Sequence, residues 1–468
     1  MRPSVYPFSA HTLFIVLLLG LLGLPARAQA PASLAETTGS VTFTASNLPI
    51  LVIETTKGRS IPDEPKVEAV MGLIDNAQGQ RNRLSDAYAF TSHIGIETRG
   101  ASSQRYPKKS YALETRHADG SNRDVSLLGL AEDNDWILYA PYADKSLMRN
   151  VLAYHLARQM GRYAVRTRYV ELVLNGDYRG VYVLMERIKP GPTRVPVADL
   201  RPGDISGDAL TGGYIVQVDR WERGESWRSP HAPEGHPRRK IYYQYHEPDA
   251  DDLTDAQRTY IRDYLTQFED MMDGNAWDDP AEGYPAWIDV DSAIDFLLLN
   301  EIAKNIDGYR LSSYLYKTRD SAGGLLHLGP IWDFNFAFGM ADYYDAADTA
   351  GFHVAFDQAK DPHHLPFWWK KLARHPAFTA QVADRWHMFR SRILADEAFT
   401  SFIDDQATLL SEAQRRNFRR WPTLGTYVWP NDFIGDTYTA EVNYLKTWLT
   451  ARLHWLDLHI PQGAFVPD

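Results

Sequence analysis

The spacing of apolar residues changes near residue 250, and this restricts the architectures open to the chain more than any other feature. Before that point the apolar runs are short. Leu48 to Glu54, His93 to Arg99, Ser110 to Arg116 and Asp135 to Tyr142 alternate or are β-rich, as strands do. Tyr169 to Leu174 and Gly180 to Ile188 flank Asn175-Gly176, a pair that tolerates the positive φ angles of a tight turn, and predict a hairpin. One helix interrupts them: Ser146 to Met160 sets Leu147, Val151, Tyr154 and Ala157 on one face, with Gly161 as its stop. After residue 250 the period approaches four. Thr254 and Gln257 have capping-box spacing, and Ile261, Leu265, Phe268 and Met272 form a buried stripe. A helix from near Asp291 carries Ile294, Leu298 and Ile302, and two short strands follow, Leu311 to Lys317 and Leu325 to Trp332. From Pro376 the pattern is helical almost throughout, with Phe378, Val382, Trp386 and Phe389 on one helix and Val442, Leu445, Leu449 and Leu456 on the last. Strands followed by helices predict an α+β protein of two lobes, with a ligand cleft between them.

The 468 residues include no cysteine, which excludes disulfides, thiolate metal sites and cysteine nucleophiles. Arg2, the apolar run Leu13 to Leu24 and Ala26-Arg27-Ala28 read as a signal peptide cleaved after Ala28. Such a run is too short to span a bilayer, so the expectation is an exported protein (periplasmic, cell-surface or extracellular) with no stable membrane anchor. Cleavage leaves 47 basic against 60 acidic side chains, a net charge of −13, and a nucleic-acid partner is not expected of so acidic a surface. The expected organisation is signal peptide 1–28, linker 29–44, β-rich lobe 45–190, a connecting strand with a polar exposed insertion over 191–250, and a helical lobe 251–468.

The stretch Asn300 to Phe338 is the most suggestive chemically. Asp307 follows a helix in a polar turn, and Asp333 lies 26 residues later at the end of a strand. Two acids so placed can meet across a small hairpin, as in phosphoryl transfer, where one carboxylate orients the attacking hydroxyl and another holds Mg²⁺. Spacing alone leaves open the plainer reading, with Asp307 capping a turn and Asp333 paired to a buried arginine. RGASSQRYPKK (Arg99 to Lys109) ends a strand in a Gly and Ser turn that could cradle phosphate, and DKSLMRN (Asp144 to Asn150) offers Lys145 and Arg149 at a helix N-terminus. Both also read as solvated basic surface. His353, His363 and His364 lack the spacing of a zinc site and read as a solvated loop, and Asp289, Asp291 and Asp295 read as helix capping.

In order along the chain, RGASSQRYPKKSYALETR, DWILYAPYADKSLMRNVLAYHLAR, YVELVLNGDYRGVYVLMERI, GGYIVQVD, DVDSAIDFLLLNEIAKNIDGYRLSSYLYK and GPIWDFNFAFG resemble the motifs of the spore coat protein H (CotH) kinase family, over about residues 45–460. The resemblance implies a secreted atypical protein-kinase-like fold, with ATP and Mg²⁺ or Mn²⁺ as cofactors and Ser or Thr of an exported protein as acceptor. It implies Asp307 as the active-site acid and Asp333 as the metal-binding acid, with Asn335 beside it. Arg99, Lys109, Lys145 and Arg149 become phosphate-side residues, and Trp332 with Tyr142 would flank adenine. Glu186 would lie near the interlobe hinge or in a salt bridge at the core edge. The family commonly reads Trp-Asp-Phe-Asp where this chain has Asn335, which offers an oxygen without a charge and weakens a second metal site. A non-catalytic surface protein of the same fold therefore stands as the alternative. A carbohydrate-active protein, suggested by the 13 tryptophans, comes third.

Overall fold

The computed structural model describes residues 41–77 and 79–466. The signal-peptide segment and residues 29–40 of the linker lie outside the described residues. The first half runs β1 (Ala45–Ser46), β2 (Ile50–Thr55), β3 (Val67–Ile74), β4 (Asn82–Arg83), β5 (Phe90–Arg99), β6 (Ser110–Arg116), β7 (Asp135–Tyr139), α1 (Arg149–Gln159), β8 (Thr167–Leu174) and β9 (Asp177–Glu186). Seven of these strands close into a barrel in the order β2-β3-β5-β6-β7-β9-β8. Neighbours are antiparallel except for the β2–β8 pair. Closure leaves no free sheet edge. Sequence alternation marks the strands but does not say which ones pair, so the barrel is a finding of the structure.

Ile53, Met71, Ile96, Trp136, Leu172 and Leu184 fill one apolar cluster of the barrel strands, while Ile50, Val52, Ile74 and Val173 join Val41 and Phe43 in another. Strand β2 is thus covered on both faces, which is why it reads as a continuous apolar run. The β8–β9 hairpin turns at Asn175 (φ 50°) and Gly176 (φ 74°), the two left-handed positions its sequence suggests.

The second half runs α2 (Gly207–Leu210), β10 (Tyr214–Asp219), β11 (Ser226–Arg228), β12 (Tyr242–Glu247), α3 (Asp255–Asp273), α4 (Val290–Ala303), β13 (Ser313–Lys317), β14 (Leu326–Leu328), α5 (Phe367–Arg374), α6 (Pro376–Arg390), α7 (Asp396–Leu410), α8 (Ala413–Arg420) and α9 (Tyr438–His459). Strands β11-β12-β10-β13-β14 form a second antiparallel sheet. The fold is therefore mixed α and β, with a sheet as well as helices after residue 191. Inside the polar insertion, Trp227 of β11 is buried on Tyr243 and Tyr245, ring centroids 5.5 and 4.6 Å away.

Helix α3 begins with the expected capping box, and Asp289 caps α4 by accepting from Ser292 N at 2.7 Å. Asp295, expected as a capping residue, is instead fully buried and ion-paired with Arg162 and Arg385, at 2.6 and 2.7 Å. Helix α4 is buried on nearly every face, as its apolar sequence demands, and ends at Lys304 in the left-handed conformation (φ 41°).

A buried polar hub fixes the long segment after Asp333. Glu301 of α4 and Arg452 of α9 meet at 3.2 Å with no solvent exposure. Glu301 accepts from the backbone N–H groups of His353 and Val354 at 2.7 Å each, and Arg452 donates to the carbonyls of Thr349 and Gly351. Lys304 donates to the carbonyls of Asp345, Asp348 and Ala350, so its three ammonium protons are all used. His353, stacked on Tyr309, and His364 are both buried, which replaces the solvated-loop expectation for those two residues.

Removing one partner of such a pair leaves a desolvated charge, whereas an exposed pair contributes little. Arg452→Ala is expected to lower the unfolding free energy by about 3–5 kcal/mol in urea titrations. Asp404→Ala, which removes the exposed partner of Lys446, is expected to lower it by less than about 1 kcal/mol.

Candidate active site

Three chain segments deliver polar side chains to one cleft. Arg99 stands at the end of β5 and Asp219 at the end of β10, while Trp332, Asp333 and Asn335 follow β14. The cleft measures about 630 Å³ and is also lined by Gly100, Asn150 and Ser312. A neighbouring cavity of about 320 Å³ shares Arg99, Gly100, Ile137, Tyr314 and Trp332 with it. Together they offer room for a ligand with a planar part and an anionic part.

Local backbone demands shape the site. Gly100 has φ +102°, and a Cβ there would lie 2.1 Å from Ser103 Oγ, so the turn after β5 requires glycine. Tyr309 (φ 69°), Ser312 (φ 47°) and Asp333 (φ 60°) are left-handed without being glycine. Such conformations cost roughly 1–2 kcal/mol each and persist where the surroundings hold them. Here the backbone N–H of Asp333 donates to Tyr154 Oη at 3.3 Å, and Ser312 N donates to Asp219 at 3.0 Å.

The carboxylate of Asp333 has no hydrogen-bond donor and no ion-pair partner among the described residues. Burial pushes its pKa up first, Asp307 pushes it further, Arg99 offsets part of this, Asp219 adds to it, and the result is about 7. The buried-arginine pairing that spacing left open for Asp333 is absent. Asp307 is also raised by burial, against the opposing pull of Arg310 and Arg220. Its carboxylate lies 3.5 Å from Arg310, whose guanidinium also contacts Asp361 at 3.0 Å and the His363 carbonyl at 3.1 Å. Arg310 thus ties Asp307 to the turn at 361–363.

Arg99 sits with its guanidinium 5.4 Å from the Trp332 ring centroid, and among the described residues it has no hydrogen bond or ion pair. Trp332 also stacks on Tyr154 at 6.0 Å, so its ring serves as a platform for Arg99. Buried in the same cleft, Asn150 keeps an Oδ1 with no partner.

Other residues singled out in the sequence are used elsewhere. Lys109 donates to the Gln104 carbonyl and is not among the residues lining the cleft. Lys145 is buried, donating to the Thr426 carbonyl at 2.7 Å and lying 3.9 Å from Glu441. Arg149 pairs with buried Asp144 at 2.6 Å and donates to the Ala337 carbonyl at 3.1 Å, which anchors the chain just beyond Asp333. Their charges are satisfied within the protein, so the cleft's cations are Arg99 and the exposed Arg220. Tyr142 packs on Tyr106 and Trp421, away from the cleft, and Glu186 is a buried ion-pair partner of Arg166 at 2.6 Å.

Sequence reasoning missed Asp219, Arg220 and Asn150. Asp219 closes the strand GGYIVQVD, and an acid at a strand end next to an arginine was the available signal. Asn150 had none beyond its position at the start of α1.

The donor set fits a hard divalent cation. Two carboxylates, Asp333 and Asp219, and the carbonyl of Asn335 line one cleft, and Mg²⁺ is commonly held by one or two carboxylates with water completing its shell. The unpartnered guanidinium of Arg99 beside them fits a phosphate.

Comparison with known proteins supplies the family. The family described as CotH kinase protein matches residues 96–456, and the chain belongs to the CotH kinase family. No curated protein matches the sequence. Among solved structures, the Helicobacter pylori proinflammatory kinase CtkA aligns at 10% identity over 72% of this chain and 94% of that chain, with a TM-score of 0.30.

A carboxyl whose pKa is raised on folding stabilises the fold most at low pH. That contribution is lost as pH rises from its ordinary value of 3.8 to about 7. In metal-free protein, Asp333→Asn is therefore expected to raise the thermal midpoint at pH 8, with the advantage shrinking by pH 5. Each unit of pKa corresponds to about 1.4 kcal/mol. Thermal melts at the two pH values, in chelator, check this.

Proposed function

We propose that the protein is an exported, ATP-dependent kinase that transfers the γ-phosphate to a Ser or Thr hydroxyl of an exported protein, through a two-lobed kinase-like architecture. The observation that carries this reading is the unpartnered Asp333 carboxylate, raised to about 7 in a cleft it shares with Asn335, Asp219 and unpaired Arg99. Membership of the CotH kinase family supports the reaction class.

In this reading Asp333 and Asp219 hold Mg²⁺ or Mn²⁺, with Asn335 adding a neutral oxygen. The metal would supply positive charge against the phosphate oxygens. Arg99 holds a phosphate on its guanidinium, oriented by Trp332, and the Gly100–Ser103 turn covers it. Asp307 orients the acceptor hydroxyl and takes its proton, and its desolvation raises its affinity for that proton. Asp307 is not among the residues lining the cleft, and Arg310, 3.5 Å away, restrains its carboxylate.

Asn335 does not remove the metal site in this account, because Asp219 contributes a carboxylate. This weighs against the non-catalytic alternative. The carbohydrate reading is weakened as well: Trp136, Trp368, Trp369 and Trp386 are fully buried in cores, although Trp221 and Trp429 are exposed.

Mature protein with ATP and Mg²⁺ or Mn²⁺ is expected to phosphorylate a protein acceptor or itself. Asp333→Ala abolishes transfer, and Asp307→Asn lowers kcat by roughly 10²–10⁴-fold with KM for ATP little changed. Phosphate transfer from radiolabelled ATP measures both. Full activity in Asp333→Ala would contradict the assignment.

A further inference from the structure

A second cluster of ligating side chains lies outside this cleft. His236 of the polar insertion, Asp357, and His364 at the end of the segment after Asp333 bring their ligand atoms within 4.8 Å of one another. His236 Nε2 lies 2.5 Å from Asp357 Oδ1, and the imidazole rings of His236 and His364 are 4.0 Å apart. His364 is 3% exposed, yet its Nε2 has no hydrogen-bond partner. A buried imidazole nitrogen without a partner is costly unless something fills the place.

Asp357 is the carboxylate of the cluster. Lys370 lies 3.7 Å from Asp357 Oδ2, leaving Oδ1 facing His236. Burial, then His236 and Arg239, lower the pKa of His364, while the backbone and carboxylate of Asp361 partly oppose this. In a tetrahedral site with Zn–N of 2.0–2.1 Å and Zn–O of 2.0–2.2 Å, ligand atoms stand about 3.3 Å apart. The 2.5 Å contact between His236 and Asp357 would open by less than about 1 Å to admit the ion, and both side chains reach solvent.

We propose that His236, Asp357 and His364 form a zinc site, with water as the fourth ligand, that fastens the polar insertion to the segment after Asp333. Two imidazoles and one carboxylate favour Zn²⁺ over Mg²⁺ or Ca²⁺, which take oxygen ligands. The site differs from the catalytic cleft in residues and in metal preference. Its consequence is mechanical. The insertion carries Arg220 and Trp221 into the cleft, and His364 follows the 361–363 turn that Arg310 links to Asp307. Zinc would hold the two segments together beside the cleft.

The test is titration of chelator-treated mature protein with Zn²⁺ by calorimetry in excess Mg²⁺, on wild type, His236→Gln, His364→Gln and Asp333→Asn. The expected result is one tight equivalent in wild type and in Asp333→Asn. Affinity should fall by more than the 10–100-fold typical of losing an outer-shell partner in His236→Gln and His364→Gln. Co²⁺ should give the visible absorption of a tetrahedral nitrogen and oxygen site in wild type and not in His236→Gln. His236 is on the insertion surface, so His236→Gln should keep the wild-type circular dichroism and decides the matter even if His364→Gln fails to fold. Unaltered Zn²⁺ affinity in His236→Gln, or its loss in Asp333→Asn, would overturn the proposal, the latter by locating the ion in the catalytic cleft. No binding in wild type would overturn it as well.

Discussion

Like charges held near one another in a partly desolvated cleft are the constraint around which this protein is organised. Asp333 is raised to about 7 by burial and by Asp307 and Asp219, and no described residue pairs with it directly. Left to relax, such carboxylates would turn toward water. The surroundings prevent this: Asp333 is fixed in a left-handed conformation by Tyr154, Asp219 is held by Ser312, and Asp307 by Arg310. Energy stored in this way is recovered when a cation arrives, which makes the repulsion useful for binding.

The rigidity comes from charges that are fully satisfied. The Glu301–Arg452 pair, the three carbonyls around Lys304, and the Arg149–Asp144 pair each fasten backbone near Asp307 and Asp333. None of these pairs is a strong net source of stability, because desolvation offsets most of the Coulomb gain. What they supply is position. Helix α4, buried on nearly all sides, carries both Glu301 and the turn to Asp307, so the apolar core and the site share one rigid element.

Much of the fold was legible where periodicity and caps act locally. The β8–β9 hairpin at Asn175-Gly176, the Thr254–Gln257 capping box, and strand Ser110–Arg116 stand where the residues indicate. Barrel closure was not legible, because strand pairing is set by contacts between distant segments. Asp307 and Asp333 could be singled out because Asp307 follows a helix in a polar turn, Asp333 follows a strand, and both lie in segments resembling family motifs. Lys109, Lys145 and Arg149 drew attention as cations in turns, but a sequence does not reveal that Gln104, Thr426 and Asp144 already hold them. The same blindness hid the meeting of His236 with Asp357 and His364, which depends on how an insertion folds back over a segment whose Asp357 is 121 residues later.

The central claim is that Asp333 holds a cation that in turn holds a nucleotide. Calorimetric titration of ATP into mature protein, with and without Mg²⁺, tests it most directly. The account predicts binding that requires the metal, weakens as pH falls below about 7 while Asp333 takes up a proton, and disappears in Asp333→Asn. ATP binding that is equally strong without metal, or that survives unchanged in Asp333→Asn, would contradict it.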